Sequence, residues 1–70
     1  MIKLYVNNRG WVLGFRRNKN DDIINVRYCQ SKAGAKPFGD TYESDPDLYD
    51  ILLHLENKIQ CHYDIVRCIK

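Results

Sequence analysis

Along the first thirty residues the apolar positions recur every second residue; the period turns helical near position 45 and returns to two after Gln60. Ile2, Leu4 and Val6 alternate with Lys3 and Tyr5, which is the spacing of a half-buried strand. Asn7, Asn8, Arg9 and Gly10 interrupt it as a turn, because Asn and Gly tolerate positive φ. Trp11, Leu13 and Phe15 then alternate with Val12, Gly14 and Arg16, so the spacing predicts a second strand whose heavier, aromatic face turns to the core. Gly14 leaves a gap on the lighter face and suggests a bulge or a close neighbour. Arg17 to Asp22 is a polar hairpin loop. Ile23 to Gln30 reads as a third strand, with Ile24, Val26 and Tyr28 on one face and Ile23, Asn25, Arg27 and Cys29 on the other.

Ser31 to Glu43 contains Gly34, Pro37 and Gly39 and is mostly loop, with Ala35 to Phe38 as one extended turn anchored by Phe38. The helical period follows in Asp45 to Ile59. Asp45 suits the N-cap, Pro46 the first helical position and Asp47 the positive end of the dipole. Leu48, Ile51, Leu52, Leu55 and Ile59 make one apolar stripe, while Asp47, Asp50, His54, Asn57 and Lys58 fall opposite it. No Gly marks its end near Gln60. Tyr63 to Ile69 is a last strand with Ile65 and Ile69 on one face and Val66 and Cys68 on the other, so it is expected beside the first strand and paired on both edges.

A lone stripe cannot bury itself, so the strands must supply a sheet for it. The expected fold is α+β: a small antiparallel or mixed four-stranded sheet in the order β-β-β-α-β, with one amphipathic helix on one face. Trp11, Leu13, Phe15, Ile24, Val26 and Tyr28 are expected beneath the helix. Tyr5, Val12, Arg16, Ile23, Arg27 and Arg67 would share the uncovered face. Tyrosine and arginine are enriched at interface centres, so that face is a candidate recognition surface.

Seventy residues make one domain, residues 1–70, with a thin core. A thin core has little room for a deep pocket with a supporting shell, which argues against an enzyme. The chain has no apolar run near the ~20 residues of a membrane span, and its opening lacks the pattern of a signal peptide. A cytoplasmic location is expected, without membrane partners. Cys29, Cys61 and Cys68 are an odd number, which points to free, mostly buried thiols in a reducing compartment.

The net charge of +2 conceals a division. Residues 1–36 carry eight basic side chains against two acidic ones, and residues 37–70 carry three basic against seven acidic. No catalytic, cofactor or metal site emerges from this material. Cys29, Cys61, Cys68, His54 and His62 lack the Cys-x-x-Cys spacing of a zinc site, and buried cysteines are the commoner outcome in a small core. Asp50 and His54 are one helical turn apart, the spacing of a surface ion pair as well as of a catalytic relay, and no cysteine has a spacing that selects it as a nucleophile. Gly34 and Gly39 lack the Lys-Ser/Thr of a phosphate loop.

Two binding regions remain. Arg9, Arg16, Arg17, Lys19 and Arg27, interleaved with Tyr5, Trp11, Phe15 and Tyr28, can supply phosphate contacts and stacking platforms for nucleic acid. The same charges also suit solvated strand faces that discourage sheet-to-sheet pairing. Asp40, Tyr42, Glu43, Asp45, Asp47, Tyr49 and Asp50 crowd the helix entrance with more carboxylates than capping requires, and Leu53 extends the patch. Such a patch can meet a basic protein surface and steer the encounter electrostatically.

A short β meander, one amphipathic helix and polarised charge over the full length resemble small accessory proteins of bacteriophages, including anti-CRISPR proteins. The resemblance is one of architecture and carries no residue across. It implies a stoichiometric inhibitor without cofactor, acting in the host cytoplasm on a protein or ribonucleoprotein complex, as monomer or homodimer. A small nucleic-acid-binding protein using the basic strands is the alternative.

Overall fold

The computed structural model describes residues 1–41 and 43–68. Strands β1 (Ile2–Val6), β2 (Gly10–Arg17), β3 (Ile23–Cys29) and β4 (Tyr63–Arg67) form one antiparallel sheet in the order β3-β2-β1-β4. Helix α1 (Pro46–His54) runs into a π-helical turn at Leu55–Ile59, and the two pack on one face of the sheet. The fold is the α+β arrangement that the two periods require.

Local chemistry sets the boundaries. Asp45 Oδ1 accepts the Asp47 N–H at 3.2 Å, Pro46 takes the first helical position, and the Asp47 carboxylate sits at the positive end of the dipole. At the other end Gln60 takes the left-handed conformation, φ 58°, and its N–H reaches the Leu55 carbonyl at 2.8 Å. Gln60 therefore does what a C-terminal glycine usually does. In the first hairpin Asn8 and Gly10 both have positive φ, and a Cβ on Gly10 would lie 2.6 Å from the Cys29 carbonyl oxygen. Only glycine fits there.

The core is Ile2, Leu4 and Val6 of β1, Val12 of β2, Phe38, and Leu48, Ile51, Leu52 and Leu55 of the helical segment. Phe38 is the anchor expected of its loop. Lys36 donates its N–H to the Val12 carbonyl at 2.9 Å, while Ile2 and Phe38 exchange backbone bonds at 2.9 and 2.8 Å. The segment thus fills the gap where β1 and β2 diverge after their two paired positions, Tyr5 with Trp11 and Val6 with Gly10. Burial of the Phe38 ring contributes roughly 1.5–3 kcal/mol.

The structure corrects four expectations. β4 is an outer strand, paired with β1 alone; its apolar residues on both faces reflect an Ile65 that is 51% exposed, not a second neighbour. Trp11, Leu13 and Ile24 lie away from the core, whereas Val12 and Ile23 pack against it or within it. Arg67 pairs with Ile2 and so shares the helix side of the sheet rather than the open one. The three cysteines are unpaired but half-buried, not mostly buried. Ile69, expected to continue β4, lies outside the described residues.

Candidate functional site

Two register shifts in the β2–β3 hairpin decide which side chains reach the open face. Val12 pairs with Tyr28 and Gly14 with Arg27, which leaves Leu13 as an extra residue in β2. Arg16 pairs with Asn25 and Arg17 with Ile23, which leaves Ile24 as an extra residue in β3. Each insertion reverses the in-out alternation. Val12, Phe15 and Arg17 consequently face the helix with Tyr28, Val26 and Ile23. Trp11, Leu13, Gly14 and Arg16 face the other way, with Asn25, Arg27 and Cys29.

On that open face Tyr5 and Trp11 are cross-strand partners, and their rings meet edge to face with centroids 5.2 Å apart and planes at 67°. This is a favoured aromatic geometry, worth about 0.5–1.5 kcal/mol beyond area burial. Lys3 shares the face and donates from Nζ to the Lys32 carbonyl at 2.8 Å, which ties a 3-10 turn, Lys32–Gly34, to one corner. Arg16 and Arg27 are exposed and have no carboxylate partner among the described residues. A Cβ on Gly14 would meet nothing within 4 Å. The face therefore offers two rings, a bare backbone floor and a cationic rim. Asp64, opposite Tyr5, is a carboxylate on its β4 margin.

The acidic helix entrance is partly consumed inside the molecule. Arg17 Nη2 lies 2.7 Å from Asp47 Oδ1 and 2.9 Å from Asp50 Oδ2, with its Nε 3.8 Å from Asp21 Oδ1. Asp40 lies 2.9 Å from the Met1 amino group and 3.7 Å from Arg67. The hydrogen bond from that amino group, then its charge, holds the Asp40 carboxyl below its ordinary range, with Arg67 adding to the effect. Asp45 spends both oxygens on backbone, accepting from Asp47 and from the Gly39 N–H at 3.0 Å. Glu43 is exposed, and Tyr49 and Leu53 present their sides to solvent at 49% and 38%. Tyr42 lies outside the described residues.

The basic candidates are thus divided. Arg16 and Arg27 share the open face, Arg17 clamps the helix, and Lys19 is exposed in the β2–β3 loop. Arg9 stands over the Tyr28 ring at 5.8 Å on the helix side. The Tyr28 hydroxyl is buried without a hydrogen-bond partner among the described residues, and burial raises its pKa. Lys3 and the Gly14 floor were not in the basic set that sequence picked out; Gly14 carried the signal, as the residue where alternation could reverse. Among the described residues no group of three or more His, Cys, Asp or Glu is placed to hold a metal, and no helix is long and apolar enough to cross a membrane.

No protein-family model, curated protein or solved structure matches this chain.

Proposed function

We propose that this chain is a non-enzymatic binding protein that holds single-stranded nucleic acid on the open face of its sheet. The observation that carries the reading is the Tyr5–Trp11 pair on the same face as Arg16 and Arg27, two exposed guanidinium groups with no carboxylate partner among the described residues. Bases stack on aromatic rings with about 1–3 kcal/mol each, whatever their sequence. Arginine and lysine at the rim take the phosphates and release counterions as they do so. Gly14 leaves room for a base or sugar to approach the backbone between the rings and Arg16.

Trp11 is the chain's single tryptophan, so its fluorescence reports this face without labelling. A single-stranded oligouridylate should quench it. With Lys3, Arg16, Arg27 and Lys32 each neutralising one phosphate, the affinity should fall with salt at a log–log slope of about −3. An emission unchanged by oligonucleotide at low salt overturns the reading.

A second reading keeps the helix side as the contact. Arg17 brings one positive charge to Asp21, Asp47 and Asp50, so a net negative patch survives beside exposed Tyr49 and Leu53. This favours a stoichiometric inhibitor of the anti-CRISPR type, meeting a basic channel of a host nucleic-acid-handling complex in the cytoplasm. A partner retained after nuclease treatment, lost with Leu53→Glu and kept with Trp11→Ala, would select it over the first.

A further inference from the structure

The open face carries one charge of the wrong sign for a surface that takes phosphates, and its position is specific. Asp64 of β4 pairs with Tyr5, Tyr5 with Trp11, and Trp11 with Cys29, so one row across the four strands reads carboxylate, phenol, indole, thiol. Directly opposed side chains on one face of a sheet have Cβ atoms on the order of 5 Å apart. The Asp64 carboxylate therefore borders the ring pair on its β4 side.

That carboxylate is also unspent. Asp64 is exposed and has no hydrogen-bond or ion-pair partner among the described residues. Lys3, diagonal to it across β1, places its ammonium 2.8 Å from the Lys32 carbonyl instead. Arg16 and Arg27 stand on β2 and β3, two and three strands away from β4 in the sheet. The face is thus ordered by charge, anionic at its β4 margin and cationic over β2 and β3.

A carboxylate only accepts hydrogen bonds. On a surface that holds a polyanion it repels the ligand unless the ligand turns donors toward it. Single-stranded bases stacked on aromatic rings are read on their Watson–Crick edges. Of the four such edges, that of guanine alone presents two adjacent donors, N1–H and the N2 amine, which match both oxygens of one carboxylate. Adenine and cytosine set a ring-nitrogen acceptor beside their amine, and uracil flanks its single N–H with two carbonyls. Each of these three puts a lone pair against a carboxylate oxygen.

We infer, on the reading that this face holds single-stranded nucleic acid, that Asp64 makes it select guanine. The base stacks on the Tyr5–Trp11 pair with its Watson–Crick edge toward β4, both donors on the carboxylate, and the phosphates lie toward Arg16 and Arg27. One ligand then satisfies both signs of charge on the face.

Hexauridylate and the same strand with one central uridine replaced by guanosine, adenosine or inosine test this. Each is titrated at one low salt concentration against Trp11 fluorescence, and the strands are compared by dissociation constant. The guanosine strand should bind about tenfold or more tighter than the adenosine or uridine strand, the discrimination expected of a bidentate pair. Inosine, which lacks the N2 amine, should fall between. Asp64→Asn exchanges one acceptor for a donor and so complements the N1 and N6 edge of adenine. It should move the preference from guanosine to adenosine and bind hexauridylate at least as well as the wild type does, with an unchanged circular dichroism spectrum because Asp64 is exposed. Equal binding of the four strands by the wild type overturns the inference and leaves the nucleic-acid reading standing. So does an Asp64→Asn variant that binds all four more tightly by one common factor, since the carboxylate then only repels phosphate. Trp11 emission that no strand alters removes both.

Discussion

Arg17 Nη2 lies 2.7 Å from Asp47 Oδ1, so a cation that belongs to the basic strands holds down the acidic entrance of the helix. The same nitrogen reaches Asp50 at 2.9 Å. The contact exists because the Leu13 insertion in β2 turns Phe15 and, two residues on, Arg17 toward the helix, with the Phe15 ring 5.4 Å from the guanidinium. It joins two elements far apart in sequence and leaves Asp47 and Asp50, on adjacent turns, shielded from each other.

Replacing Arg17 with Met removes the clamp and exposes that repulsion. The expected loss is about 1 kcal/mol, since the partners are half-exposed and solvent screens the pairs. Urea unfolding at low and high salt checks it. The difference between wild type and Arg17→Met should shrink as salt rises; a difference that grows would mean packing, not charge, is responsible.

Inversion of the faces by the Leu13 insertion can be read directly from two adjacent residues. Val12 is fully buried and Leu13 is 39% exposed, although alternation carried back from Phe15, which packs on the core, puts Leu13 inside and Val12 outside. Val12→Ala should cost about 2 kcal/mol through lost burial and the cavity it leaves. Leu13→Ala should stay within roughly 0.5 kcal/mol of wild type, as surface substitutions do. Thermal or denaturant midpoints of the two variants decide the matter, and a larger effect at Leu13 would refute the assigned register.

On the open face, Trp11→Ala and Arg27→Glu should each weaken single-stranded nucleic-acid binding by roughly tenfold or more, through lost stacking and a reversed contact. Arg27→Glu should also reduce the salt slope. Lys19→Glu, in the loop away from the rings, should change affinity less than either. Because Trp11 is then absent from one variant, anisotropy of a labelled oligonucleotide is the suitable readout.

Stability should fall with acidification in two windows. His54 lines a cleft of about 500 Å³ together with Arg17, Asp21, Asp22, Asp50 and Lys58. Desolvation there, reinforced by the charge of Lys58, holds its imidazole below the ordinary 6.5. The unfolded chain therefore binds the proton first, and stability drops as pH falls below 6.5 until the folded state is protonated as well. Asp40, held below 3.8, has the same sign at lower pH: its contribution is present above that value and is lost as pH falls through its folded pKa. His54→Asn should erase the upper step and leave the lower one, which melting temperatures across the pH range would register.

Gly10→Ala should destabilise the first hairpin by about 1–3 kcal/mol, because Gly10 has φ 115° and its Cβ position lies 2.6 Å from the Cys29 carbonyl oxygen. The opposing atom is backbone and cannot swing aside. Gly14→Ala, with open space around it, should cost far less in stability; on the proposed reading its effect falls on ligand affinity instead. Comparing unfolding with binding for the two variants separates the structural glycine from the functional one.

Much of this protein was determined by its sequence alone, wherever the physics is local. The helix was legible because Asp45, Pro46 and the Leu48 to Ile59 stripe each act within a few residues, and Leu48, Ile51, Leu52 and Leu55 are buried as that period demands. The strand locations and the Phe38 anchor were legible for the same reason. Tertiary structure alone decided the faces. A strand has a period of two, so one inserted residue at Leu13 and one at Ile24 reassign every side chain beyond them, and composition does not say where an insertion falls. That reassignment sent Arg17 to the helix and Trp11 to the open face. It also separated charges that neutralise one another, at Arg17 with Asp47 and Asp50, from those left to solvent at Arg16 and Arg27. The place of β4 was equally beyond local reading, since an Ile exposed on an outer strand looks in sequence like an Ile buried between two.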